Sequence, residues 1–186
     1  MDDIIFIRDF DTHWIKDLDL QCTVPSIRLD DRVTFSQPSG QNCPPPSMKA
    51  SPDSPWLEYS WTDAIGPWAM PLSVDGNVFD RREILVLLEG IAFKAPNSLE
   101  KALGPYRFWF KRRRGYCLPQ RGIINLALNR VQQENEDFPC GECNAHEMLL
   151  RWQSGQRLDW LTMAEAEDHS THVVANPVYI NKEVLG

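Results

Sequence analysis

The sequence predicts an α+β protein, a mostly antiparallel sheet with two or three helices near the C-terminus. Three observations carry this: β-branched and aromatic runs mark the first 35 residues and 56–61, a capping-box pattern opens a helix at Asn144, and the Pro-rich stretch 36–55 divides the strands. The chain has 186 residues, the size of one domain, and residues 1–186 are read as one. With 42% hydrophobic residues, seven Trp and eight Phe, it can fill a core, which argues against a disordered chain.

In order, "IIFIRDF" at 4–10 and "SIRLDDRVTF" at 26–35 read as strands, with "THWIKDL" between them as a short helix or turn. Residues 36–55 hold six Pro and five Ser; Pro fixes φ and removes a donor, so a long loop is expected there. "WLEYSW" at 56–61 alternates like a strand with Trp56 and Trp61 on opposite faces, and "WTDAIGPW" at 61–68 reads as a packed hairpin turn. "REILVLLEGIAF" at 82–93 fits a buried strand or a short helix. "NSLEKALG" fits a helix capped at Asn97 or Ser98 and ended by Gly104, with Pro105 beyond. "YRFWFKRRRGYC" and "GIINLALNRV" read as strands flanking an "LPQRG" turn. Asn144 with Glu147 three residues on makes a capping-box pattern for "NAHEMLLRW". "SG" at 154–155 breaks that helix, "RLDWLTMAEAEDH" supplies another, and "THVVANPVYI" a final strand. "HSTH" at 169–172 reads as a capped helix end on the surface.

The net charge of −7 conceals segregation. From Lys101 to Gln133 there are eight bases and no acid, while 1–100 carry sixteen acids against eight bases and 134–186 ten against three. The longest apolar runs fall short of the ~20 residues of a membrane helix. The acidic start "MDDIIFIRDF" has no basic region ahead of an apolar one, so a cytoplasmic protein without membrane contact is expected. Five cysteines, an odd number, suit a reduced compartment with metal or free thiols better than a disulfide framework.

"FPCGECNAHEMLLRW" at 138–152 concentrates soft ligands. A Cys-x-x-Cys turn lets Cys140 and Cys143 converge on one ion at ~2.3 Å, with His146 in the first helical turn as a third ligand and Cys117 as the fourth. A structural zinc pinning a strand to a helix N-terminus is the leading expectation, with a redox dithiol and plain free thiols as alternatives. "HE" at 146–147 lacks the second His of a zinc-protease helix, since Leu150 stands there. "PCGEC" resembles the second half of a zinc-deaminase motif, without the upstream His- or Cys-x-Glu. "FPCGEC" followed by His146 is similar to the Cys-x-x-Cys helix of flavin-linked sulfhydryl oxidases, which implies a bound flavin; "HSTHVV" departs from that family's His and Asn pattern.

Residues 106–121 carry six positive charges and five aromatics without an acid. As a strand, they would set Arg107, Trp109, Lys111 and Arg113 on one face and Phe108 and Phe110 on the other. Cations alternating with an exposed Trp suit a nucleic-acid backbone, with Arg107, Trp109, Lys111, Arg112, Arg113, Arg114 and Arg121 as contacts. A metal at Cys117 would hold that face rigid. The leading expectation is therefore a non-enzymatic, zinc-stapled subunit that contacts nucleic acid within a larger assembly. The alternative is a protein-interaction module, such as an inhibitor, an immunity-type protein or a virion component, that uses its acidic or Trp-rich surface. No phosphate-cradling Gly loop and no distinctive acid/base pair is found.

Overall fold

The computed structural model describes residues 4–9, 11–50, 55–128, 143–165, 169–174 and 176–181. Cys140 lies outside them, as does part of the Pro-rich stretch. The fold is α+β, and five of the seven strand pairings among the described residues are antiparallel.

The larger sheet runs β2–β7–β6–β5, formed by β2 (Thr23–Ser26), β7 (Arg114–Cys117), β6 (Leu57–Ser60) and β5 (Lys49–Ala50). Within it β2 lies parallel to β7, and the other pairs are antiparallel. A second sheet sets β8 (Ile123–Leu126) between β1 (Ile4–Phe6), antiparallel, and β10 (His172–Val173), parallel. Two small ribbons complete the strands: β3 (Phe35–Ser36) with β4 (Gln41–Asn42), and β9 (Gln156–Leu158) with β11 (Tyr179–Asn181). The stretch 36–55 thus contains short strands as far as it is described.

Trp61 and Trp68 are fully buried and meet Tyr59 edge-to-face, with centroids 4.9 and 5.1 Å from its ring. Such geometry aligns ring edges with ring faces. The Trp68 indole donates to Val33 O at 2.9 Å, so its one polar group is satisfied in the core. Gly115 lies opposite Tyr59 in the sheet, and a Cβ there would come within 2.5 Å of that ring. The absence of a side chain is what lets Tyr59 cross β7. Trp56 and Trp61, which flank β6, are both buried.

The helices α1 (Arg81–Glu89) and α2 (Pro96–Leu103) cover this core. Asp80 caps α1, accepting from the backbone N–H groups of Arg82 and Glu83. Ile84, Leu87 and Ile91 face the core at helical spacing, which settles the strand-or-helix choice. α2 starts at Pro96 with Ala95 at the N-cap, one turn earlier than the expected cap, because the Ser98 hydroxyl serves the Lys94 and Ala95 amides from inside the helix.

The basic segment departs most from expectation. It is not a strand: a 3-10 turn (Gly104–Tyr106) runs into α3 (Arg107–Phe110), and β7 begins only at Arg114. Pro105 presets a helical φ. Leu99, Leu103, Tyr106 and Phe110 then fall at spacings of four, three and four on one core-facing stripe. Burial of that stripe outweighs the strand propensity of the aromatics.

A second core gathers Ile124, Leu126, Leu128, Met163 and Val173, with Cys143 and Met148 packed against it. Two helices stand near the C-terminus, α4 (Ala145–Gln153) and α5 (Trp160–Glu165). Asn144 caps α4 by accepting from His146 N at 2.8 Å, whereas Glu147 turns to Arg151 instead of closing a capping box. Gly155, at φ +89°, ends the turn after α4. "HSTH" is not a helix end: His172 is half-buried in β10, and Ser170 and Thr171 are buried. No helix among the described residues is long and apolar enough to cross a membrane.

Candidate functional site

α3 and the turn after it present the chain's cations in two ways. Arg113 points inward. It forks onto both carboxylate oxygens of Glu83 on α1, donates to Leu20 O at 2.9 Å, and stacks on Phe110 with its guanidinium carbon 4.2 Å from the ring centroid. Lys111, Arg112 and Arg114 turn to the surface cleft. Lys111 and Arg112 make no ion pair with any described residue, and neither does Lys49 on the edge strand β5. Arg114 is exposed and reaches Glu58 only at 3.5 Å, while Glu58 also accepts from the Tyr116 hydroxyl at 2.8 Å.

These side chains line one cleft of about 280 Å³ between the α3–β7 turn and the β5–β6 edge, with Glu58 its only carboxylate among the lining residues. On the same turn of helix Phe108 and Trp109 are 60% and 61% exposed, with ring centroids 5.6 Å apart. Arg112 lies over Phe108, 4.9 Å from its centroid. Both rings thus keep apolar surface in water beside a cationic cleft, without the free energy that burial would return.

The expected contacts therefore divide. Trp109, Lys111, Arg112 and Arg114 lie at the outer surface, and Phe108 and Lys49 join them. Arg107 is half-buried, its Nε enclosed without a hydrogen-bond partner. Arg113 is a structural clamp. Arg121 is a correction: it is 1% exposed, its backbone N–H donates to Asp30 Oδ2 at 3.0 Å, and its guanidinium donates to Ser170 O. The shared face expected for Arg107, Trp109, Lys111 and Arg113 dissolves because successive helical residues are rotated by about 100°, not 180°.

Among the described residues the cysteines are not gathered. Cys117 is 0% exposed within the first core, and burial together with Asp30 and Asp31 pushes its thiol up to about 12. It is thus held as a thiol, while metal binding needs the thiolate. Cys143 lies against the second core, its sulfur 3.7 Å from the Tyr179 hydroxyl. His146 is exposed on α4. Among the described residues no three His, Cys, Asp or Glu side chains form a group able to hold a metal ion, so Cys117, Cys143 and His146 do not converge.

A cavity of about 360 Å³ with several charged residues in its lining has no counterpart among the motifs of the sequence. Arg28, Asp75, Glu100 and His172 line it, drawn from four separate parts of the chain. His172 Nε2 stands 3.5 Å from Asp75 Oδ2, and its Nδ1 lies 3.1 Å from the Thr171 hydroxyl. Burial raises the Asp75 pKa, but the His172 contact and the Arg28 charge outweigh it and hold the carboxyl below its ordinary value. Glu100 accepts from Ser73 Oγ at 2.9 Å and Val74 N at 3.0 Å. Sequence spacing carries no signal for such a set.

No family model, curated protein or solved structure matches this chain.

Proposed function

We propose that the protein binds single-stranded nucleic acid, with the phosphate backbone in the Lys49–Lys111–Arg112–Arg114 cleft and bases stacked on Phe108 and Trp109. The observation that carries this reading is the conjunction of Lys49, Lys111 and Arg112 without ion-pair partners among the described residues, Arg114 held by Glu58 only at 3.5 Å, and two exposed rings on the adjoining helical turn. Neutralising phosphates releases condensed counterions, and every base offers a π-face to an aromatic ring, so neither contact demands a particular sequence. Rigidity comes from Phe110, packed edge-on to Phe79, and from the Arg113–Glu83 fork. The proposal therefore requires no metal. An ordered platform loses less entropy on binding than a flexible one.

Titration of a labelled, mixed-sequence single strand at increasing salt tests the reading. About four phosphate contacts, one for each cation of the cleft, predict a log–log slope near −3, at roughly −0.7 per contact. A slope near zero, or no binding at low salt, contradicts it.

A second reading, contact with a protein, is favoured by α4 and its neighbour. Leu149, Leu150 and Trp152 are exposed there, as is Leu161 on α5. A partner covering that face would be released by Leu149→Ser with Trp152→Ala, while nucleic-acid binding would be unaffected.

A further inference from the structure

The Arg28–Asp75 cavity has the construction of a ligand site, independent of the nucleic-acid surface. Arg28 is 4% exposed, yet its guanidinium makes one hydrogen bond, from Nη2 to Pro67 O at 3.3 Å. Its Nε–H is enclosed and has no acceptor. No described carboxylate lies within ion-pair distance of it. A guanidinium carries five donors, and one removed from water with most of them unfilled is unfavourable unless something else fills them. Asp75 shows the converse. It is buried, its Oδ2 faces His172, and its Oδ1 is enclosed without a donor. Arg28 and Asp75 thus line one cavity as opposite charges that act on each other without an ion-pair contact, while His172 and Asn125 also stabilise the Asp75 carboxylate.

We propose that this cavity binds a small zwitterion of the α-amino-acid class. The carboxylate meets Arg28, whose planar fork suits two carboxylate oxygens. The ammonium meets Asp75, with Glu100 also among the lining residues. Met70, Pro38 and Pro67 supply an apolar flank for the ligand's side chain. A phosphate fits poorly, because two carboxylates line the cavity against one fixed cation. The volume, about 360 Å³, is within the usual range of small-molecule sites.

The test is a thermal-shift and calorimetric screen of the full chain against the free L-amino acids, each compared with its N-acetyl and amide derivatives. At least one free amino acid is expected to raise Tm by roughly 5 °C at a hundredfold excess over Kd. Its N-acetyl form lacks the ammonium and its amide the carboxylate, so both are expected to bind at least about tenfold more weakly. Arg28→Met is expected to abolish the shift. If Arg28→Met fails to fold, Glu100→Gln, which keeps the acceptor for Ser73 and Val74, is expected to weaken binding about tenfold at unchanged unliganded Tm. No shift with any free amino acid, equal binding of the derivatives, or unchanged affinity in a folded variant overturns the proposal.

Discussion

Arg113 grips Glu83 with a two-pronged contact that ties α1 to the turn between α3 and β7. The pair is mostly shielded, and Arg113 also closes the Leu20 carbonyl and covers Phe110. One side chain therefore fixes the orientation of the helix that carries Trp109.

Arg113→Ala is expected to destabilise the fold by about 2–3 kcal/mol, because it leaves Glu83 partly buried and unpaired. The neighbouring Arg112→Ala should stay within about 0.5 kcal/mol, as its partner ring is at the surface. Urea denaturation of the two variants checks the difference; equal losses would contradict the clamp.

Gly115→Ala probes the sheet beneath. Its methyl group would meet the Tyr59 ring at 2.5 Å and the Trp61 indole nitrogen at 2.9 Å. Both rings are held by the core, so a loss of about 1–3 kcal/mol or more is expected. Wild-type stability in this variant would mean that Tyr59 does not cross β7 so closely.

The α+β class was legible, as were β1 and β6, but the strand expected at 26–35 is absent: β2 ends at Ser26, β3 starts only at Phe35, and β4 and β5 lie in the stretch expected as a loop. Asn144 was legible as a cap because its preference is local. The α3 segment was misread for a physical reason: its aromatics favour strands, while the Leu99–Leu103–Tyr106–Phe110 stripe, with a helical period, spans the boundary with the preceding helix and was divided there. The cavity was not legible at all. Arg28, Asp75 and His172 are brought together by sheet topology, which local spacing does not encode.

Acid should weaken the fold partly through Asp75. Its folded pKa lies below the ordinary 3.8, so its contribution is present above that value and is lost as pH falls through the folded pKa. The stability gap between wild type and Asp75→Asn should be constant down to about pH 5 and narrow below 3.8. A gap that widens in acid would reverse the sign.

Cys117 should resist iodoacetamide at pH 8 in the folded protein and react only on unfolding, since its thiol is enclosed and pushed to about 12. Exposed Cys22 provides the internal comparison. Zinc content, measured in parallel, should be the same in Cys117→Ala as in wild type. A loss of metal confined to that variant would restore Cys117 as a ligand.

Trp109→Ala offers the most direct measurement on the nucleic-acid surface. The ring is exposed, so stability should change by no more than about 0.5 kcal/mol. Removal of one stacking platform should weaken single-strand binding by about 1–3 kcal/mol, read as fluorescence anisotropy of a labelled oligonucleotide at fixed salt. A folded Trp109→Ala protein that binds the strand as tightly as wild type would contradict the proposed function.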